Sequence, residues 1–442
     1  MESSATPTGS SSRPPLVFVP ALMGTELYRD SQKVYVTIPI ALSLATPNIA
    51  LPIQWHRISN SDSAADCHRS IPRQEMDDIR PVEALKRLDL GCSPCGGFCS
   101  YTVLDQYSTL CNHFHQQADD IDFYEYAYDW RRDLNESTDK LISFLQKIAS
   151  KHGQAPQVMA HSMGCLIALA ALHEQPSLFH SILLAGGNFG GGAGFYPMNT
   201  EGMTVGWNRR YLSGEVVHTF PSMYAAASPM MEDPILRRTC QVIKEDGTIS
   251  TSTRYLFQFV NKQLLRDEGK WEVVPIDMWN IQDWKKYKLG PWSLDKEVSK
   301  EVEDHVQICL EVGLVFQRRL RNVKQSASDG TDGTKEQCYP RVAVLVGDQH
   351  LNPDYFLWDV VESHWIEWTP ELIEQFCPRH FERTDGTVSH ISASQPPGLP
   401  SYVNVEEYKA KQNGIGIGEH RELMSEVELI DSILHNLCET SN

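Results

Sequence analysis

The sequence predicts an α/β protein, a mainly parallel sheet flanked by helices, with an extra segment inserted as a cap. Three observations predict it. Short apolar runs alternate with amphipathic stretches, the pattern of buried parallel strands joined by helical crossovers. One run, "QVMAHSMGCLIALAAL" at residues 157–172, sets a single serine between a strand-like and a helix-like stretch. Residues 196–292 break the alternation and hold Trp207, Trp271, Trp279, Trp284 and Trp292, half of the ten tryptophans in the chain, which marks an insertion with its own packing.

Composition bounds the function. With 442 residues, 41% hydrophobic, the chain can bury a large core in one domain with insertions or in two modest domains. A net charge of -18 excludes a nucleic-acid partner, which would need basic patches, and disfavours attraction to an anionic membrane. Residues 1–14, "MESSATPTGSSSRP", have no apolar run and read as a disordered tail rather than a signal peptide, so the expected location is the cytoplasm. Eleven cysteines, an odd number, fit mostly free thiols in a reducing compartment. The glycosylation acceptor at Asn135 is then inert. The core is expected over 15–195 and 293–442, with a lid or interfacial region within 34–111, and the cap over 196–292.

Along the chain, "PLVFVPALMG" is the first strand and its turn. Residues 34–55 carry no charge and are long enough to span a bilayer, but three prolines argue against a spanning helix. The segment either packs into the core or meets a lipid surface. Cys92, Cys95 and Cys99 resemble a zinc knuckle that Cys111 and His113 or His115 would have to complete; a Gly-rich surface loop is the simpler reading, and no metal or cofactor is expected. Leu141, Phe144, Leu145 and Ile148 share a helical face over 137–152, closed by Gly153. A strand at 158–160, the serine, a helix through "CLIALAALHEQ" and a strand in "HSILLAGG" follow. "NFGGGAGFY" lacks the Lys-Ser/Thr of a phosphate loop and reads as a flexible exit. Val298, Val302, Val306, Cys309, Val312 and Phe316 mark a long helix, "RVAVLVGD" a late strand, and Leu423, Val427, Ile430, Ile433 and Leu437 the last helix.

Strand, one-residue corner and helix form the setting of a nucleophile elbow, in which small flanking residues let the serine expose its hydroxyl; here the pentapeptide is Ala160-His161-Ser162-Met163-Gly164. The bland alternative for Ser162 is a helix cap. A serine nucleophile needs a histidine base and an orienting acid, in this setting in the order Ser, acid, His. His420, in a loop before the last helix, is the base by that order, ahead of His390 and His435. Two acids stand open: Asp348 at a strand end and Asp385 in the turn "TDGTV".

"VPALMGTEL", "YDWRRDL" at 128–134, "AHSMG" and "TDGTV" occur in the order and rough spacing of the lecithin:cholesterol acyltransferase family, which includes lysosomal phospholipase and phospholipid:diacylglycerol acyltransferases. The chain resembles that family from about residue 15 to 437, least across the cap. The resemblance implies an α/β-hydrolase that takes an acyl chain from a lipid ester onto Ser162 and gives it to an alcohol or to water. It also selects Asp385 as the acid and implies an oxyanion hole from the backbone N–H groups of Met163 and Met23. Residues 128–131 read as a structural junction. The chain departs from the family in having Ala21 where glycine is usual and in lacking the secretory context of members with a disulfide-stapled lid. Two rivals remain at this level: a soluble carboxylesterase or acylglycerol lipase, and a catalytically silent lipid-binding protein of the same fold.

Overall fold

The structure is a computed structural model that describes residues 13–41, 44–58, 69–72, 77–92, 99–191, 198–200, 202–205, 208–227, 237–243, 249–255, 259–260, 273–274, 277–293, 296–322, 338–347, 350–353, 357–359, 364–366, 381–385, 387–388, 390–410, 420 and 422–439. Asp348, Trp207 and Trp271 lie outside them, as does the middle of the Cys92–Cys99 loop.

The chain alternates strands and helices: β1 (Leu16–Val19), α1 (Ser108–Gln116), β2 (Phe123–Glu125), α2 (Leu134–His152), β3 (Gln157–His161), α3 (Met163–Glu174), β4 (Ser181–Ala185), α4 (Pro221–Ala227), α5 (Lys300–Leu320), β5 (Arg341–Val346), β6 (Val405–Lys409) and α6 (Val427–Cys438), of which α1, β2, α4 and β6 add to the elements read from the sequence. The six strands form one sheet in the order β6-β5-β4-β3-β1-β2, every pair parallel. From β1 the chain moves outward to β2 and then returns to β3 on the other side of β1, so the strand order reverses at β1. Such a reversal opens a crevice beyond the carboxyl ends of the strands, where ligands bind in open parallel sheets.

Alternation along each strand divides the core into two layers. Val17, Val19, Val158, Ala160, Ile182, Leu184, Val342 and Val344 face one layer, covered by α2, α3 and the end of α5. Leu16, Phe18, Met159, Leu183 and Leu345 face the other, covered by α1 and α6. α3 is buried along nearly its whole length because residues 163–172 carry no charge on any face, the pattern of a helix enclosed by its neighbours.

The boundaries differ from the sequence reading in small ways with local causes. α2 starts at Leu134, three residues before the expected start at 137, because the Asp133 carboxylate caps it by accepting the Asn135 N–H. α5 starts at Lys300, behind the Ser299 cap, so Val298 lies outside it. Leu423 sits in a short 3-10 turn ahead of α6. Within residues 34–55, Tyr35, Val36, Ile40, Ile49 and Leu51 are buried, while Leu44 stands 76% exposed. Trp284 is buried with Tyr224, Met278 and Leu289 against α5, and Trp279 and Trp292 pack on that cluster, so these cap tryptophans build ordinary core. No helix among the described residues is long and apolar enough to cross a membrane.

The "YDWRRDL" segment proves structural. Arg131 is fully buried and donates to both Asp129 carboxylate oxygens (2.9 and 2.6 Å), to Asp77 (2.9 Å) and to the Ile49 carbonyl (2.9 Å). It thereby ties residues 34–55 to the sheet. Arg131→Ala, which strands two buried carboxylates, is expected to lower stability by about 3–5 kcal/mol in urea unfolding.

Buried titratable groups set the response to acid. Burial pushes His161 down to about 3 and His173, His218 and His305 down to about 4, so all four stay neutral in the fold. Once unfolded they titrate near pH 6.5. Burial pushes Asp133 up to about 7, which acts in the opposite sense. At pH 5, unfolding takes up four protons on the histidines and releases one from Asp133. The stability from the histidines is present above pH 6.5 and is lost as pH falls below it. Near pH 5 the unfolding free energy, measured by urea titration, should therefore fall at roughly 4 kcal/mol per pH unit as the pH is lowered.

Candidate active site

Ser162 occupies the single residue between β3 and α3, where the chain turns from strand to helix without a loop. Its backbone has φ 53° and ψ −122°, a conformation that a non-glycine residue holds only under constraint. The constraint is visible on both sides. The Ser162 N–H donates to the Ala185 carbonyl at the end of β4 (2.9 Å), and its own carbonyl accepts the Cys165 N–H (2.9 Å). Gly164 fits because a Cβ there would lie 2.4 Å from the Pro20 carbonyl oxygen and 2.5 Å from that of Val19. Ser162 makes no side-chain capping bond to α3, so it is not serving as the helix cap.

Its hydroxyl instead lies 2.7 Å from Nε2 of His420. Nδ1 of His420 lies 2.7 Å from Oδ2 of Asp385. The Asp385 Oδ1 accepts two backbone N–H groups, from Val388 (2.7 Å) and Thr387 (3.0 Å). Burial opposes the charge on this carboxylate, yet the neighbouring His420 and the two N–H groups hold it below the ordinary carboxylate range. An ionised Asp385 accepts the Nδ1 proton, which leaves the Nε2 lone pair facing the serine. Hydroxyl, imidazole and carboxylate in this order can transfer a proton away from the hydroxyl and make it a nucleophile. All three residues are at least 91% buried, which keeps water from competing for those bonds.

The two candidate oxyanion donors lie on adjoining backbone. Met163 opens α3, where its N–H has no partner within the helix and adds to the positive end of the dipole. Met23 sits with φ 61° in a turn closed by the Gly24 N–H donating to the Ala21 carbonyl (3.0 Å), and its own carbonyl accepts the Tyr35 hydroxyl (3.2 Å). Tyr128 donates its hydroxyl to Pro20 O (2.9 Å) and Trp130 its indole N–H to Thr25 O (3.3 Å), so the structural junction fixes both ends of this turn.

The other candidates from the sequence are placed elsewhere. His390 pairs with Glu407 on β6 (3.0 Å), and His435 faces Glu439 on the exposed side of α6 (3.6 Å). Cys111 is buried in the apolar layer under α1, its thiol pushed up by burial, and no group of metal-ligating side chains occurs among the described residues. The sequence reading missed Gly186, at φ 58°, where a Cβ would meet the His420 ring at 3.0 Å. It also missed Tyr107 and the role of His161. The glycine pair closing "HSILLAGG" at a strand end was the signal for the first; nothing local pointed to Tyr107, which reaches the site only through the fold.

The comparisons with known proteins bear on this geometry. Residues 100–308 match the lecithin:cholesterol acyltransferase family. No curated protein matches the chain. Among solved structures, "The crystal structure of Tle4-Tli4 complex" aligns over 98% of this chain and 100% of its own at 13% identity with a TM-score of 0.48. The peroxisomal α/β-hydrolase Lpx1 of Saccharomyces cerevisiae aligns over 98% of this chain and 78% of its own at 10% identity with a TM-score of 0.26. The fold itself rests on the six-stranded parallel sheet and its order. With that sheet and the serine turn after β3 in place, the chain is similar to the lecithin:cholesterol acyltransferase family across residues 100–308.

Proposed function

We propose that this protein transfers acyl groups from a lipid ester through an acyl-serine at Ser162, with His420 as general base and acid and Asp385 as the orienting carboxylate. The observation that carries the reading is the continuous pair of 2.7 Å contacts from Ser162 to His420 and from His420 to Asp385, on a serine held at φ 53°. The family match supplies the lipid ester class.

In the first half-reaction the Ser162 oxygen attacks the ester carbonyl while its proton passes to His420 Nε2. The carbonyl oxygen becomes an oxyanion facing the N–H groups of Met163 and Met23, each contributing about 3 kcal/mol. Collapse breaks the ester C–O bond, and His420 returns the proton to the departing alcohol. In the second half, His420 takes a proton from an acceptor alcohol or from water, whose oxygen attacks the acyl-serine. The serine leaves reprotonated, and the product is a new ester or a free acid.

A fluorophosphonate, which phosphonylates an activated serine, tests the reading and separates it from a silent lipid-binding role. Labelling is expected in the native protein and none in Ser162→Ala at an unchanged melting temperature. Asp385→Asn keeps an oxygen for the Val388 and Thr387 N–H groups but presents an amide to His420, so turnover should fall about 10,000-fold. Equal labelling of Ser162→Ala would refute the assignment.

The lipid-surface contact is placed at the exposed Leu44, since Tyr35, Val36, Ile40, Ile49 and Leu51 of the same segment are buried. On this reading, activity on a short-chain ester rises when the ester forms micelles, and Leu44→Asp removes the rise while sparing hydrolysis of the monomer. A smooth saturation curve through the micelle threshold in both proteins would favour the plain carboxylesterase.

A further inference from the structure

Behind the serine and the imidazole lies a second, fully buried chain of hydrogen bonds. His161, the last residue of β3, has Nδ1 2.8 Å from the Tyr107 hydroxyl and Nε2 2.9 Å from the main-chain carbonyl of His420. A carbonyl can only accept, so Nε2 carries the proton, and Nδ1 accepts the hydroxyl proton of Tyr107. The Tyr107 oxygen in turn accepts the Ala21 N–H at 3.0 Å. Every proton in the chain thus has one direction, from Ala21 through Tyr107 and His161 to the backbone of His420. Burial holds His161 down to about 3, so it stays neutral and this direction is kept while the protein is folded.

The two ends of the chain matter. Ala21 opens the turn that carries Met23, and His420 carries the imidazole. The His420 main chain has its other tie at the N–H, which donates to the Asp385 carbonyl (2.7 Å). The His161 and His420 rings lie 5.0 Å apart, so the support is also steric. Tyr107 packs edge-on against Phe18 of β1 at 4.9 Å, which anchors the chain to the central strand.

We propose that His161 and Tyr107 are positioning residues for acyl transfer, holding the His420 backbone and the Met23 turn in a single register with Ser162. The proposal rests on the catalytic reading of Ser162, His420 and Asp385. Neither residue touches the reacting atoms; each acts by removing slack from a group that does, and a misplacement of about 1 Å costs on the order of 100-fold in rate.

Saturable inactivation by a fluorophosphonate tests this, because phosphonylation reads the nucleophilic attack of Ser162 without any lipid substrate. His161→Leu removes both bonds and should lower the limiting inactivation rate about 100-fold while leaving the half-saturating probe concentration within about twofold. His161→Gln should recover most of the rate, since the oxygen and nitrogen of its amide are spaced much like the two ring nitrogens. Tyr107→Phe keeps the ring on Phe18 and should lose about tenfold with the melting temperature within about 3 °C. If His161→Leu does not fold, Tyr107→Phe decides. A native protein that is not labelled, or is labelled without Ser162, overturns the catalytic reading and this proposal with it. Labelling confined to Ser162, with Tyr107→Phe reacting at the native rate or His161→Gln as slow as His161→Leu, overturns the positioning role alone.

Discussion

The contact between Gly164 and the end of β1 governs the rest of the molecule. Backbone meets backbone there, with no room for a single methyl group against the Val19 and Pro20 carbonyls. Because β1 and β3 are paired in register, Val19 beside Ala160, the helix after β3 can begin only over the end of β1. That placement leaves one residue to complete the reversal, and the residue is Ser162. It also brings the start of α3 against Pro20, at the head of the turn that carries Met23. The strained serine is thus paid for by the packing of a helix buried from Met163 to His173, whose first ten residues are all apolar or small.

Electrostatics follow the same logic of local control. The chain as a whole is strongly acidic, yet Asp385 keeps its charge in a buried setting because two amides and an imidazole are aimed at it. Arg131 shows the structural counterpart: a buried cation satisfied by two carboxylates and a carbonyl, adding a polar tie to an apolar segment already packed in the core. In both cases buried charge is tolerated because every strong donor or acceptor has a named partner.

Much of this was legible in the sequence, and the reasons differ by feature. Strands and helices of the core were readable because burial on both faces of a parallel sheet leaves uninterrupted apolar runs, as in residues 181–185. Ser162 was readable because a one-residue corner demands small neighbours. The proposed acid was not: Asp348 and Asp385 were equivalent as residues, and only the "TDGTV" resemblance chose between them. In the structure the reason for that turn appears, since Thr387 and Val388 supply the N–H groups that hold the carboxylate. The placement of 34–55 was also undecidable from composition, because an uncharged stretch suits a core and a lipid surface equally; Arg131, which donates to the Ile49 carbonyl within it, lies far along the chain. Tyr107 and His161 illustrate the remaining gap, a polar network whose members become neighbours only after the sheet has formed.

The position of β6 has a consequence for the life of the chain before it is complete. Among the described strands β6 is an edge, paired only to β5 and partly open along its length, whereas β3 and β4 are enclosed. Asp385 comes just before this strand and His420 just after it. The serine and its turn, by contrast, are assembled from β1, β3 and β4, all of which leave the ribosome first. On the proposed reading, a nascent protein can therefore build its serine corner early and remain inert, since Asp385 and His420 are synthesised only later in the chain.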